Sequence, residues 1–307
     1  MIKMLITDIG NMEVIDIQGL TVRIPGKQEI PETTFVGRKE IIDNALIAWK
    51  KIDHLRSQHF RLYGPPGMGK NAIAYELARI LKKDLYIMRG HQCSTPEDMS
   101  CVITQNRNGI FEYVATPLLV AMLKGGICLF DEFDKVREDA LAPLASVLDD
   151  SRTIVSGLLG TTFKAHDDFL FCAALNEYAE SESRVREFIE QRTSPSFYVG
   201  YPSLSELEEI LKTRISPVSE EVWIDVFMKI FKDIEISVRD AINILEFAYK
   251  KSRDENTRLS KKLTEEYLKD ALTHFPHVKH NVSAQTKIAG NDNVYFRLKT
   301  GREKSIH

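Results

Sequence analysis

The chain has 307 residues, 43% hydrophobic and 28% charged, with a formal net charge of −3. That length supports two packed units with real cores, and the balance is that of an ordinary soluble globular protein. No apolar run reaches the ~18 residues of a membrane span, no basic start and apolar middle mark a secretory leader, and no global basic field advertises nucleic acid; a cytoplasmic location is the expectation.

Residues 1–32 contain short alternating runs such as Leu20-Thr21-Val22-Arg23-Ile24 before Pro25-Gly26 and Pro31, and read as a small β-rich extension. From 33 to 200 strand and helix patterns alternate, which predicts an α/β unit with a mostly parallel sheet and helices on both faces. Within it, the apolar run Phe60-Arg61-Leu62-Tyr63 meets Gly64-Pro65-Pro66-Gly67-Met68-Gly69-Lys70-Asn71, and a helix follows with Ile73, Leu77, Ile80 and Leu81 at apolar positions. Strand, glycine turn and helix with Gly64-x-x-x-x-Gly69-Lys70 spacing make a phosphate-binding loop. Its backbone N–H groups and the helix N-terminus face a phosphate chain, and Lys70 reaches the outermost phosphates. Asn71 stands where a Ser or Thr hydroxyl normally meets Mg²⁺. Its amide oxygen can ligate the ion, or its bulk can misplace it and slow turnover.

Further along, Gly126-Ile127-Cys128-Leu129-Phe130-Asp131-Glu132 reads as a strand buried on both faces and ending in two carboxylates. At the carboxyl end of such a strand, Asp131 is placed to hold Mg²⁺ directly or through water, and Glu132 to polarise an attacking water. A second buried run, Phe169 to Leu175, ends in Asn176, whose amide can align a water or touch a terminal phosphate. The four cysteines point to a reducing compartment, Cys128 and Cys172 being core residues. His91, Cys93 and Cys101 share one loop at a spacing that matches no zinc site. Tyr201-Pro202-Ser203 turns into an all-helical region, 201–274, with a Ser203/Glu206 capping box and an apolar stripe of Val222, Val226, Phe227 and Ile230. Another helix starts at Ser237, and a tail, 275–307, holds one strand-like piece, Val294 to Leu298.

Gly64 to Lys70, Asp131-Glu132, Asn176, Arg192 and Arg239 resemble, in this order, the signatures of an AAA+ ATPase over roughly residues 33 to 274. Asn108 to Tyr113 leading into Thr116-Pro117-Leu118, the Asp131-Glu132-Phe133-Asp134-Lys135 run with a helix carrying Leu141, Leu144 and Leu148, and a hairpin over 152–166 are similar to the MoxR-type branch. The resemblance implies a P-loop αβα domain with a central, mostly parallel five-stranded sheet, then a smaller helical lid domain, with ATP and Mg²⁺ as cofactors. It implies that Phe35 and Val36 contact the adenine side, Arg239 acts as a second nucleotide sensor, and Arg192 is an arginine finger reaching a neighbouring subunit. Arg184 and Arg186 lie close enough to compete for that role. Half of each site would come from the next subunit, so a homo-oligomeric, hexameric ring is implied, with residues 101–107 as a loop toward its channel.

The function expected is ATP hydrolysis coupled to remodelling or maturation of a protein client, together with a separate von Willebrand factor A domain partner. Two alternatives stay open. One is a nucleic-acid motor or restriction/defence ATPase, against which stands a candidate channel loop offering Arg107 and little other positive charge. The other is a nucleotide-gated scaffold that hydrolyses weakly because of Asn71.

Overall fold

In the computed structural model the described residues are 5–9, 12–17, 19–106, 108–176, 187–215, 221–232, 234–254 and 261–278. The chain separates after Pro202 into two compact units.

The apolar runs of the first unit become a sheet. Strands β4 (Phe60–Gly64), β5 (Leu85–Arg89), β8 (Ile127–Asp131), β11 (Leu170–Asn176) and β12 (Ser196–Tyr198) lie in the order β12-β4-β11-β8-β5, every pairing parallel. Ile127 to Phe130 and Leu170 to Leu175 are buried, because helices cover both faces. On one face α1 (Lys39–Trp49) and α2 (Lys70–Leu81) set Ile42, Trp49, Ile73 and Leu77 against Phe60, Leu62 and Leu129. On the other, α3 (Pro117–Lys124), α4 (Glu138–Leu141) and α5 (Leu144–Val147) pack Leu118, Met122, Leu141 and Leu144 against Phe130 and Phe171.

Local chemistry sets the helix ends. Thr116 Oγ1 accepts the Leu119 N–H at 3.3 Å, and Pro117 follows at the first helical position, so α3 starts there. The single helix expected after Asp131 is divided, because Pro143 has no N–H to continue α4; Leu141, Leu144 and Leu148 are nevertheless all buried. Residues 153–164 form the expected hairpin, β9 (Thr153–Ser156) against β10 (Thr161–Lys164).

A second sheet has the order β1-β2-β3-β7-β6, from β1 (Leu5–Ile9), β2 (Met12–Ile17), β3 (Leu20–Arg23), β6 (Cys101–Gln105) and β7 (Phe111–Ala115). The expected loop at 101–107 is therefore corrected: Cys101 to Gln105 are a strand, paired antiparallel with β7. The turn between them is closed by Asn106 Oδ1, which accepts the N–H groups of Asn108 and Ile110; Arg107 lies outside the described residues. β3 runs parallel to β7, and Ile15, Ile17, Val22 and Ile24 share the core beneath α3. The N-terminal strands are thus built into the first unit.

In the second unit α7 (Leu204–Arg214), α8 (Glu221–Ile230), α9 (Val238–Asp254) and α10 (Lys261–Thr273) enclose Trp223, Phe227, Ile244, Leu245 and Leu268. Ser203 and Ser237 cap α7 and α9 by accepting the N–H groups of Glu206 and Asp240. The strand-like piece at 294–298 falls outside the described residues. Among the described residues no helix is long and apolar enough to cross a membrane.

Candidate nucleotide site

The site stands on the carboxyl ends of β4, β8 and β11. Gly64 ends β4 with φ 148°, and a Cβ there would lie 2.3 Å from the Val199 carbonyl oxygen, so only glycine fits this approach to the residue after β12. The loop runs through Gly67 at φ 81° to Gly69, the residue before α2, at φ 90°, both left-handed positions. The first turn of α2 thereby opens its N–H groups toward the loop's interior, as an anion requires.

Lys70 is the first residue of α2 and is buried. Its Nζ donates to the Gly64 carbonyl at 2.8 Å, the Pro65 carbonyl at 2.9 Å and Asn176 Oδ1 at 3.0 Å. Because an ammonium only donates, it fixes which end of the Asn176 amide faces it. Strand register supports the contact: Asn176 pairs directly with Gly64 across β11 and β4. The Asn176 N–H is in turn held by Asp134 Oδ1 at 3.1 Å, from the 3-10 turn Phe133–Lys135 after β8.

Asn71 meets Asp131. Its Nδ2 donates to Asp131 Oδ2 at 2.7 Å, a bond a carboxylate can only accept, so the amide presents its NH₂. The other oxygen, Asp131 Oδ1, accepts the Glu132 N–H at 2.9 Å. Glu132 itself has φ 53°, a left-handed conformation costly for a side-chain-bearing residue and typical of functional sites. Its Oε1 pairs with Lys135 at 2.7 Å, both side chains about 40% exposed; an ion pair so wet contributes little and exchanges readily for another partner. Behind the site, burial, and then the charge of Asp131, push the Cys172 thiol far above its ordinary range, so it is an inert core group.

The donor set suits Mg²⁺. Asp131 supplies a carboxylate and Asn71 an amide, hard oxygen ligands of the kind that ion takes, one or two from protein with the rest from phosphates and water. Among the described residues no group of three or more His, Cys, Asp or Glu forms a metal cluster, which such a site does not need.

The structure thus brings Gly64, Lys70, Asn71, Asp131, Glu132 and Asn176 together. Phe35 and Val36 are partly buried before α1, Phe35 packing on the core under α2; Arg38 ties their loop to the Gly200 carbonyl through Nη2 at 2.7 Å. Arg192 ends α6 (Glu187–Arg192) and is half-buried. There the Ser151 hydroxyl first, with help from the Arg192 charge, holds the Asp149 carboxyl below its usual range. Arg239 is exposed on the first turn of α9 in the second unit; Arg184 and Arg186 lie outside the described residues. Sequence reasoning missed the roles of Asp134 and Lys135. Lys135 lies one helical turn from Glu132 and was findable from that spacing, whereas Asp134 holds a residue 42 positions away.

Residues 59–193 match the AAA domain of the dynein-related subfamily. The chain is 24% identical over 219 residues to the Holliday junction branch migration complex subunit RuvB of Mycoplasma pneumoniae, covering 69% of this chain and 64% of that one. It is 24% identical over 207 residues to the uncharacterized protein YojN of Bacillus subtilis, covering 66% of each. The chain therefore spans just under two thirds of these relatives. Among solved structures, the Thermotoga maritima RuvB Holliday junction branch migration motor superposes with a TM-score of 0.54 at 16% identity, over 78% of this chain and 72% of that one. The strand order β12-β4-β11-β8-β5, with the phosphate loop following β4 beside the edge strand, and the matched segment identify residues 59–193 as an AAA domain.

Proposed function

We propose that this chain binds and hydrolyses ATP with Mg²⁺, completing each site with a neighbouring copy, and uses the cycle to remodel a protein client in the manner of the MoxR-type branch. The observation that carries hydrolysis is the Asn71–Asp131 bond: the substitution that would have spoiled the metal site instead supplies the donor that orients the carboxylate. With its NH₂ committed to Asp131, Asn71 has its Oδ1 to offer a cation.

The residues divide the work as follows. The 64–70 loop and the N-terminus of α2 bind phosphate, and Lys70 leaves its carbonyl partners for the outer phosphates. Asp131, held by Asn71, would hold Mg²⁺ directly or through water, and the ion would supply charge neutralisation at the phosphates. Glu132 exchanges Lys135 for a water and takes its proton. Asn176, fixed by Lys70 and Asp134, aligns that water. Arg239, in the helical unit, would respond to the γ-phosphate.

Arg192 is assigned to the neighbour's site, and topology supports this. α6 leads into the amino end of edge strand β12, where Ser196 pairs with Arg61. The phosphate loop opens from the opposite, carboxyl end of parallel β4, about 10 Å of strand further on. A hexameric ring is the arrangement in which every site receives such a residue. Exposed apolar side chains on the β6–β7 hairpin, Ile103, Ile110 and Phe111, favour a polypeptide client over a phosphate backbone. A separate von Willebrand factor A domain protein is the partner proposed with this branch.

A second reading, a nucleic-acid motor, is favoured by the likeness to RuvB. Mixing Glu132→Gln with Arg192→Ala subunits tests the shared site: sites holding the intact Glu132 of one and the Arg192 of the other regain turnover above either variant alone. Absence of rescue in mixed assemblies verified by mass overturns the shared site, and strong stimulation of hydrolysis by DNA would replace the protein-client reading with the motor.

A further inference from the structure

The end of α6 is held by a side chain from β4, the strand next to edge strand β12. Arg61, on β4, donates through Nη1 to the Glu190 carbonyl at 2.9 Å, the Thr193 hydroxyl at 3.2 Å and the Thr193 carbonyl at 3.4 Å. Its Nη2 lies 3.9 Å from the Glu190 carboxylate. These partners bracket Arg192. The Glu190 carbonyl also accepts the Thr193 N–H at 3.3 Å, and a cation at a helix C-terminus is favoured by the helix dipole.

The rest of the turn is arranged around this contact. Thr193 is 1% exposed, and its hydroxyl spends its proton on the Ile189 carbonyl at 2.8 Å, leaving its lone pairs to accept from Arg61. Ser194 Oγ donates to the Glu190 carbonyl at 2.9 Å. α6 has six residues, far fewer than a helix needs to persist unaided in water. Its last turn therefore takes its position from outside contacts, and Arg61 joins it to the sheet through three hydrogen bonds. All three hydrogen bonds come from Nη1, which the rigid guanidinium plane holds in place better than a flexible lysine stem holds its ammonium.

We infer that Arg61 is a positioning residue for the finger: it fixes the turn bearing Arg192 to the same strand that carries the phosphate loop, so that the finger offered to the neighbour is held at a set height on the sheet. This rests on the assignment of Arg192 to the neighbour's site. Arg61 touches no reacting atom; it acts through Glu190 and Thr193.

The test uses the full chain with Arg61→Gln and Arg61→Lys, folding and assembly being checked by thermal denaturation and native mass. Arg61→Gln is expected to lower turnover on the order of 10²-fold, as a displacement of about 1 Å at a reacting site does, with nucleotide affinity unchanged and Arg61→Lys intermediate. Arg61→Gln/Arg192→Ala is expected to be no slower than Arg192→Ala alone, because both remove one unit of function. Mixed with Glu132→Gln subunits, Arg61→Gln subunits regain turnover, since their sites receive a well-held finger. Rescue of Arg192→Ala but not of Arg61→Gln overturns the inference, by showing that Arg61 serves its own site. Rescue of neither overturns the finger assignment beneath it. Independently of hydrolysis, amide exchange at Thr193, whose N–H bonds the Ile189 carbonyl at 2.9 Å, must quicken in Arg61→Gln; unchanged protection contradicts the clamp.

Discussion

Gly90, just after β5, is the position where a single added methyl group would separate the proposed phosphate-binding role of the site from its proposed water-activating role. Its N–H donates to the Asp131 carbonyl at 2.8 Å. A Cβ at Gly90 would stand 2.5 Å from the Glu132 carbonyl oxygen and 2.5 Å from Val136 Cγ2. Ordinary contact begins near 3.4 Å, so the turn holding Glu132 must retreat by about 1 Å. Val136 can rotate, but the Glu132 carbonyl is backbone and already sits at φ 53°. Gly90→Ala should therefore cost about 1–3 kcal/mol of stability as overpacking. Its larger effect should be kinetic: a shift of this size at the group that positions water costs on the order of 10²-fold in turnover. Gly64, Lys70 and Asn71 lie on other elements, so nucleotide affinity should hold. Gly157→Ala is the control, since a Cβ there meets nothing within 4 Å. Calorimetric nucleotide titration, phosphate release and thermal denaturation on both variants separate the effects. Wild-type turnover in Gly90→Ala would refute the claim that this backbone places Glu132.

Other perturbations give distinct signatures. Asn71→Ala removes a charge-assisted bond of about 1.5–3 kcal/mol and should weaken Mg²⁺-dependent nucleotide binding roughly tenfold or more, while Asn71→Ser, which keeps a hydroxyl donor, retains most of it; equal Mg²⁺ dependence in all three proteins rules out the proposed role. In Gly64→Ala the clash with the Val199 carbonyl should abolish nucleotide binding and lower Tm, and a titration with normal affinity would contradict this. His59 is buried between Phe169 and Phe171 with no hydrogen-bond partner on Nδ1 among the described residues, and burial, then the Arg152 charge, lower its pKa from 6.5 to about 4. Below pH 6.5 the unfolded chain takes up this proton before the folded one does, so stability should fall between pH 6.5 and about 4, by about 3 kcal/mol in all, and level off below. Denaturant midpoints across that window should flatten in His59→Phe; an unchanged slope would remove His59 from the account.

The sequence shows some parts of this molecule more clearly than others, and the division is physical. Ile127 to Asp131 and Leu170 to Asn176 are legible because strands buried on both faces must be continuously apolar. The phosphate loop is legible because its glycines are demanded by backbone geometry within a few residues. Caps at Thr116 and Ser203 are local for the same reason. What stayed hidden depends on distant pairing. Cys101 to Gln105 look like a loop until β3, some 80 residues earlier, is seen beside β7. Asp134 means little until β11 brings Asn176 beside it, and Arg61 looks like an exposed alternation in an apolar strand until α6 ends against it. The place of Asn71 was open in the sequence in both directions; the contact with Asp131 shows which end of its amide faces the carboxylate.

The most direct measurement is steady-state phosphate release from ATP and Mg²⁺ by the wild-type chain beside Glu132→Gln, with nucleotide affinity measured on both. Hydrolysis by the wild type, lost in Glu132→Gln without loss of binding, is the expected result. Equal phosphate release from the two proteins would contradict the assignment of Glu132 and leave a nucleotide-binding scaffold in place of an ATPase.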